Sequence, residues 1–147
     1  MTVASASPAA ACLSITRQAA QQAVVAAMEE AERLGVAVNV AVVDRSGVLM
    51  AFLRMPESSL HSMDTAIDKA YTAASFRFPT AQWSELLAGF SEPVQKGILL
   101  RPRLVVFGGG IPIEWQGQVI GAIGVSGASE AEDERCALAG CEAVGGM

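Results

Sequence analysis

Leu104–Ser126 reads LVVFGGGIPIEWQGQVIGAIGVS, an apolar run, three consecutive glycines and then two apolar runs around a polar turn. Arg103–Phe107 carries strand-forming residues, and Gly108–Gly110 lets backbone approach another strand or a ligand closely. Ile111–Trp115 and Gln118–Ser126 then form a hairpin about Gln116-Gly117, with Gly121 and Gly124 thinning its second strand. A phosphate loop needs G-x-x-x-x-G-K-[ST], and a dinucleotide fold needs G-x-G-x-x-G opening a helix. Ile111-Pro112 forbids a helix here, so the glycines read as a strand-to-hairpin turn whose backbone can line a small-molecule site.

Working outward, the closing segment has a capping box, Ser129-Glu130-Ala131-Glu132, and further acids at Asp133 and Glu134. Five acids and one arginine in this last helix read as complement to the helix dipole and as solvent face. At the other end, Leu13, Ala20, Val24, Ala27, Ala31 and Leu34 form one apolar stripe. Ser14 is placed to cap that helix and Gly35 to close it. Val36–Val43 alternates valine with Ala37, Asn39 and Ala41, which predicts a strand with one bulky and one small face. Asp44-Arg45-Ser46-Gly47 is a turn leading back through Val48–Arg54.

Ser58–Phe78 reads as a helix in which Ser62 can cap and Met63, Ala66, Ile67, Ala70 and Ala74 form the seam. Thr65, Lys69, Thr72 and Phe76 share an adjacent strip that either lines a cleft or is a solvated edge. Pro79 ends the helix, Thr80 opens a short one, and Ser91–Pro102 reads as an exposed loop. The element order is α, β, β, α, α, β, β, β, α, which predicts an α+β fold with one five-stranded antiparallel sheet and helices packed on it.

Composition narrows the function classes. The 147 residues fit one domain, expected over 13–147 after a disordered tail over 1–12. A net charge of −5 leaves no surplus of cations for a nucleic-acid backbone, so nucleic acid is not an expected partner. The apolar share of 52% against 17% charged residues exceeds that of ordinary soluble domains, which suggests apolar surface shared between subunits. No apolar run reaches membrane-spanning length, and Met1–Ala11 lacks the features of a signal peptide, so a cytoplasmic location is expected. Cys12, Cys136 and Cys141 form no C-x-x-C pair and read as small buried hydrophobes. No G-x-S-x-G elbow is present, and His61 is the single histidine.

Four stretches together, VAVVDRSGVLMAFLRM, MDTAIDKAYTAASFRFPT, VVFGGGIPI and QVIGAIGVSGASEAEDE, resemble the GlcG/HbpS-like family, which includes the C-terminal domain of PduO-type corrinoid proteins. The resemblance runs from about Ser14 to the C-terminus. It implies a profilin-like α/β sandwich, assembly into homo-oligomers, and in several members binding of heme or a corrinoid-related tetrapyrrole. Lys69 and Thr72 fall on the family's K-A-x-T-A helix motif and Gly108–Gly110 on its G-G-G-x-P turn. Many relatives belong to small-organic-acid or aromatic catabolism.

Two readings follow. In the first, the protein is a small-ligand-binding accessory protein of a catabolic pathway, holding heme or another tetrapyrrole in an oligomer cleft with His61 or a methionine as axial ligand. In the second, it is a cofactor-independent isomerase, hydratase or hydrolase of a small keto or enol acid. Lys69 or His61 is then the acid/base, Arg54 the carboxylate anchor, Thr72 a ligand contact, and the amides of Gly108, Gly109 and Gly110 an oxyanion site.

Overall fold

The computed structural model describes residues 6–146. Of the tail expected over 1–12, residues 1–5 lie outside the described residues, and 6–12 run exposed without helix or strand.

Helix α1 (Arg17–Leu34) buries Ala20, Val24, Ala27 and Ala31 of the predicted stripe together with Ala23, while Leu34 is half-buried and Leu13 lies exposed before the helix. Its cap is Thr16 rather than Ser14: the Thr16 hydroxyl accepts from the Ala19 amide at 3.2 Å. The Ser14 hydroxyl instead bridges strands, accepting from Arg45 N and donating to Ile120 O. Gly35 closes α1 at φ 72°, donating to Ala31 O and Glu32 O. Strands β1 (Asn39–Asp44) and β2 (Leu49–Arg54) follow, joined by a turn in which Asp44 Oδ1 accepts from Ser46 N at 2.8 Å and Val48 N at 3.0 Å.

Helix α2 (His61–Phe76) starts without a side-chain cap, because Ser62 lies inside the helix and Leu60 holds the cap position. A single 3₁₀ turn at Thr80–Gln82 leads into α3 (Trp83–Ala88). The segment read as a loop contains a further helix, α4 (Glu92–Ile98), with Pro93 in its first turn and Glu92 paired to Lys96 at 2.6 Å. Its proline suggested a loop, yet proline fits a helix start where the amide has no partner anyway. Strands β3 (Gly110–Trp115) and β4 (Gln118–Ser126) form the second hairpin, and α5 (Glu130–Ala143) closes the chain with the predicted capping box on Ser129 and Glu132.

The α+β class holds, with four strands rather than five. The sheet runs β2-β1-β4-β3, antiparallel throughout, with Val40 opposite Leu53 on one side and Val125 on the other. Residues 103–107 were expected as a strand but are drawn off the sheet by α2. The Thr72 hydroxyl donates to Arg103 O at 2.9 Å and accepts from Val105 N at 3.1 Å, consuming groups a ladder would use.

The sheet is covered on both faces. Helices α1 and α5 pack on the face carrying Val40, Val42, Ile113, Ile123 and Val125. Helix α2 packs on the small-residue face, where Ala66, Ala70 and Ala73 meet Ala41, Val43 and Ala122. The small side chains bring α2 close to the sheet, and that approach positions the site described below. No described helix is long and apolar enough to cross a membrane.

Cys136 and Cys141 are buried in the α1/α5 layer, whereas Cys12 is exposed. Burial pushes the Cys136 thiol up to about 11 and the Cys141 thiol up to about 12, from an ordinary 9.0. The unfolded chain therefore releases both protons at lower pH than the folded chain. The contribution of these thiols is complete below pH 9 and is lost as pH rises towards 11 and 12, by about 1.4 kcal/mol per group per pH unit. The urea midpoint is expected to fall across that range, and a Cys136→Ala/Cys141→Ala variant to flatten the fall. An equally steep fall in the variant would assign it elsewhere.

Candidate functional site

Helix α2 crosses the end of the second hairpin so closely that the glycine turn rests on it. A side chain at Gly109, where φ is 123°, would lie 2.7 Å from Lys69 Nζ. Gly109 and Gly110 are therefore required by their close approach to Lys69 of α2, while a β-carbon at Gly108 would meet the Glu130 side chain of α5. Lys69 is 1% exposed, and its ammonium donates to Val125 O and to Asp133 Oδ2, each at 2.8 Å, with the Phe107 ring 5.2 Å away. The Asp133 Oδ1 atom accepts from Ala128 N at 3.0 Å. Burial pushes the Asp133 carboxyl up from its ordinary value, and the neighbouring Lys69 ammonium opposes that shift.

The other groups of the turn are also bonded internally. Gly108 N donates to Glu130 Oε1 at 2.6 Å, and Gly110 N donates to Thr80 Oγ1 at 2.9 Å. Gly109 O accepts from Val125 N at 2.8 Å. An oxyanion site needs donors aimed at open space, and the amides of Gly108 and Gly110 point to protein oxygens instead. The Thr72 hydroxyl is used in both directions by the 103–105 segment.

The remaining expected residues lie apart from this junction. Arg54 stands on β2, at the opposite edge of the sheet from β3, and its Nη2 donates to Ser58 O at 2.8 Å and Pro56 O at 3.1 Å. It pins the loop whose Ser58 hydroxyl accepts from buried Asn39 at 2.6 Å. His61 is the first residue of α2, exposed, and its imidazole makes no hydrogen bond to the described residues. Eight residues separate it from Lys69, about 12 Å along the helix. The two alternative acid/base residues thus stand at separate places on α2. Five cavities among the described residues span 110 to 490 Å³; Thr72 lines the one of 160 Å³, and none of the five is lined by His61, Lys69, Arg54 or the glycine turn.

A scan against family models matches residues 15–142 to the description "Haem degrading protein HbpS-like". The chain belongs to this family. It is 34% identical over 115 residues to Protein GlcG of Escherichia coli K12, covering 76% of this chain and 81% of GlcG. Protein ORFY of Klebsiella pneumoniae superimposes with a TM-score of 0.90 at 31% identity, over 98% of this chain and 99% of that one. A PduOC:heme complex superimposes with a TM-score of 0.81 at 31% identity, over 89% of this chain and 95% of that one.

Within this HbpS-like fold, two residues central to the junction were missed by the sequence reading, which placed Glu130 and Asp133 on a solvent face. The spacing held a signal. Asp133 lies on the same stripe as Cys136, Ala137 and Gly140, which are all buried, so a carboxylate there needs a buried partner. That partner is the lysine one helix strip away from the α2 seam.

Proposed function

We propose that this HbpS-like protein is a ligand-binding accessory protein that holds heme or a related tetrapyrrole on a surface completed by a second copy. The observation that carries the reading is the 31% identity and 0.81 TM-score to a protein crystallised with heme. Bound heme supplies an iron that takes axial donors, and the residues here fit that need in part. His61 offers an exposed imidazole without a competing hydrogen bond, beside Leu60, which is 72% exposed. No main cavity of one chain encloses a macrocycle next to it, so the dry cover must come from another copy. Leu49, Met50 and Leu53 on β2 are exposed apolar side chains suited to such a contact.

The enzyme reading receives no such support. Of its two acid/base candidates Lys69 is bound to Asp133, His61 stands apart from Arg54 and the glycine turn, and two of its three oxyanion amides are bonded internally.

Titration of the purified protein with hemin is expected to give a Soret shift saturating at about one heme per subunit. In His61→Ala the band position should change and binding weaken at least about tenfold. A wild-type protein that produces no Soret shift would falsify the reading. An unchanged spectrum in His61→Ala would remove that residue as the donor.

A further inference from the structure

The face of α2 turned away from the sheet closes a separate cavity of 160 Å³ against the segment after α4. Phe76, Ile98, Leu104 and the ring of Tyr71 give it apolar walls, while Thr72, Ser75, Arg101 and Arg103 stand among them as polar groups. An apolar cavity of about 150 Å³ is enough to take a benzene molecule.

Its far wall is held rigidly. Arg103 has a left-handed backbone, φ 65°, which costs a non-glycine residue roughly 1 kcal/mol or more. Three contacts hold it there. Thr72 donates to its carbonyl, Asp68 Oδ1 accepts from its Nε at 3.0 Å, and its guanidinium stacks 3.6 Å from the Tyr71 ring centroid. Arg103 is therefore committed to the wall. Arg101, two residues earlier and exposed, takes part in none of the ion pairs among the described residues. In a chain of net charge −5, an unpaired guanidinium at the rim of an apolar cavity selects for an anion. A bare inorganic anion would be poorly served, because Thr72 and Arg103 are already engaged and most of the remaining wall is apolar. The match is an anion with an apolar body.

We propose that this cavity binds a small carboxylate of about benzoate size. Its ring lies between Phe76, Ile98 and Leu104, and its carboxylate takes paired hydrogen bonds from the Arg101 guanidinium. The Ser75 hydroxyl, which makes no hydrogen bond to the described residues, is the second polar contact. The site is independent of the heme reading: Ser75 is fourteen residues from His61, about 21 Å along α2.

The test is a titration of ¹⁵N-labelled full-length protein with benzoate, read by amide shifts. Saturating shifts are expected at Ser75, Phe76, Ile98 and Leu104, with a Kd of about 1 mM. Arg101→Gln should raise that Kd at least about tenfold, and neutral benzyl alcohol should bind the wild type more weakly by a similar factor. Ser75→Trp, placed on the exposed side of the helix to fill the cavity, should abolish the shifts. The hemin titration should be unchanged in Arg101→Gln, so that failure of either site is seen separately. Three results would each overturn the proposal. They are no saturable shift in the wild type, equal affinity in Arg101→Gln, or the same shifts with inorganic phosphate at the same concentration.

Discussion

Replacing Asp133 by alanine is expected to destabilise the fold by about 3–5 kcal/mol, the usual cost of removing one partner from a buried ion pair. Lys69 is 1% exposed and would keep only the Val125 carbonyl and its position over the Phe107 ring. A buried ammonium without its carboxylate carries an uncompensated charge at high cost. The same substitution frees Ala128 N, so the start of α5 loosens as well. Urea unfolding of Asp133→Ala against wild type at neutral pH, with the slopes compared, reads the loss directly. A double variant, Lys69→Met/Asp133→Leu, should lie closer to wild type than Asp133→Ala, because apolar replacement of a whole buried pair is often neutral. A single variant within about 1 kcal/mol of wild type would show that the pair is solvated rather than buried.

Gly124→Ala is expected to cost about 3 kcal/mol or to prevent folding altogether. A β-carbon at this position of β4 would be driven into the Ala66 carbonyl, with Ala70 N at 2.5 Å and Lys69 Cβ at 3.1 Å. These are mainly backbone atoms of α2, which cannot rotate away, so the helix would have to lift from the sheet and lose its alanine contacts. Gly97→Ala is the control. It lies in α4 with nothing within 4 Å of the added carbon, and it should stabilise slightly, by about 0.5–1 kcal/mol. Thermal unfolding of the two variants side by side separates close packing from a general effect of losing glycine. Comparable melting temperatures for Gly124→Ala and wild type would contradict the close approach of α2.

Both predictions concern the junction where sequence reasoning was weakest. The α1 stripe, the Gly35 stop, the Asp44 turn and the Ser129 capping box were legible because each depends on residues within four positions of one another. Helix α4 is equally local, and its proline was read as a breaker rather than a helix start, whereas the missing strand at 103–107 depends on more. Residues 103–107 have the composition of a strand, yet Thr72, thirty-one residues away from Arg103, takes their hydrogen bonds. Local propensity cannot register a competitor that arrives only when the chain has folded.

The candidate site divides in the same way. The residues themselves were recognisable: Lys69 does meet Gly109 and Gly110, whereas Thr72 serves the 103–105 segment and Gly108 faces Glu130. Their roles were not, because a lysine on a helix strip reads equally as a cleft lining or a buried anchor until its partner is known. The partner is Asp133, sixty-four residues later.

By itself, then, the sequence determined the α+β class, the two hairpins, the principal helices with most of their ends, and the family. Only the tertiary structure decided that the Gly108–Gly110 turn is closed by its own hydrogen bonds. The physical reason is the small-residue face of the sheet. Ala41, Gly110, Ala122 and Gly124 admit α2 to backbone contact, which carries Lys69 to Asp133 and leaves the turn no open amide at Gly108 or Gly110. His61 and Arg101, by contrast, remain exposed and outside the ion pairs among the described residues.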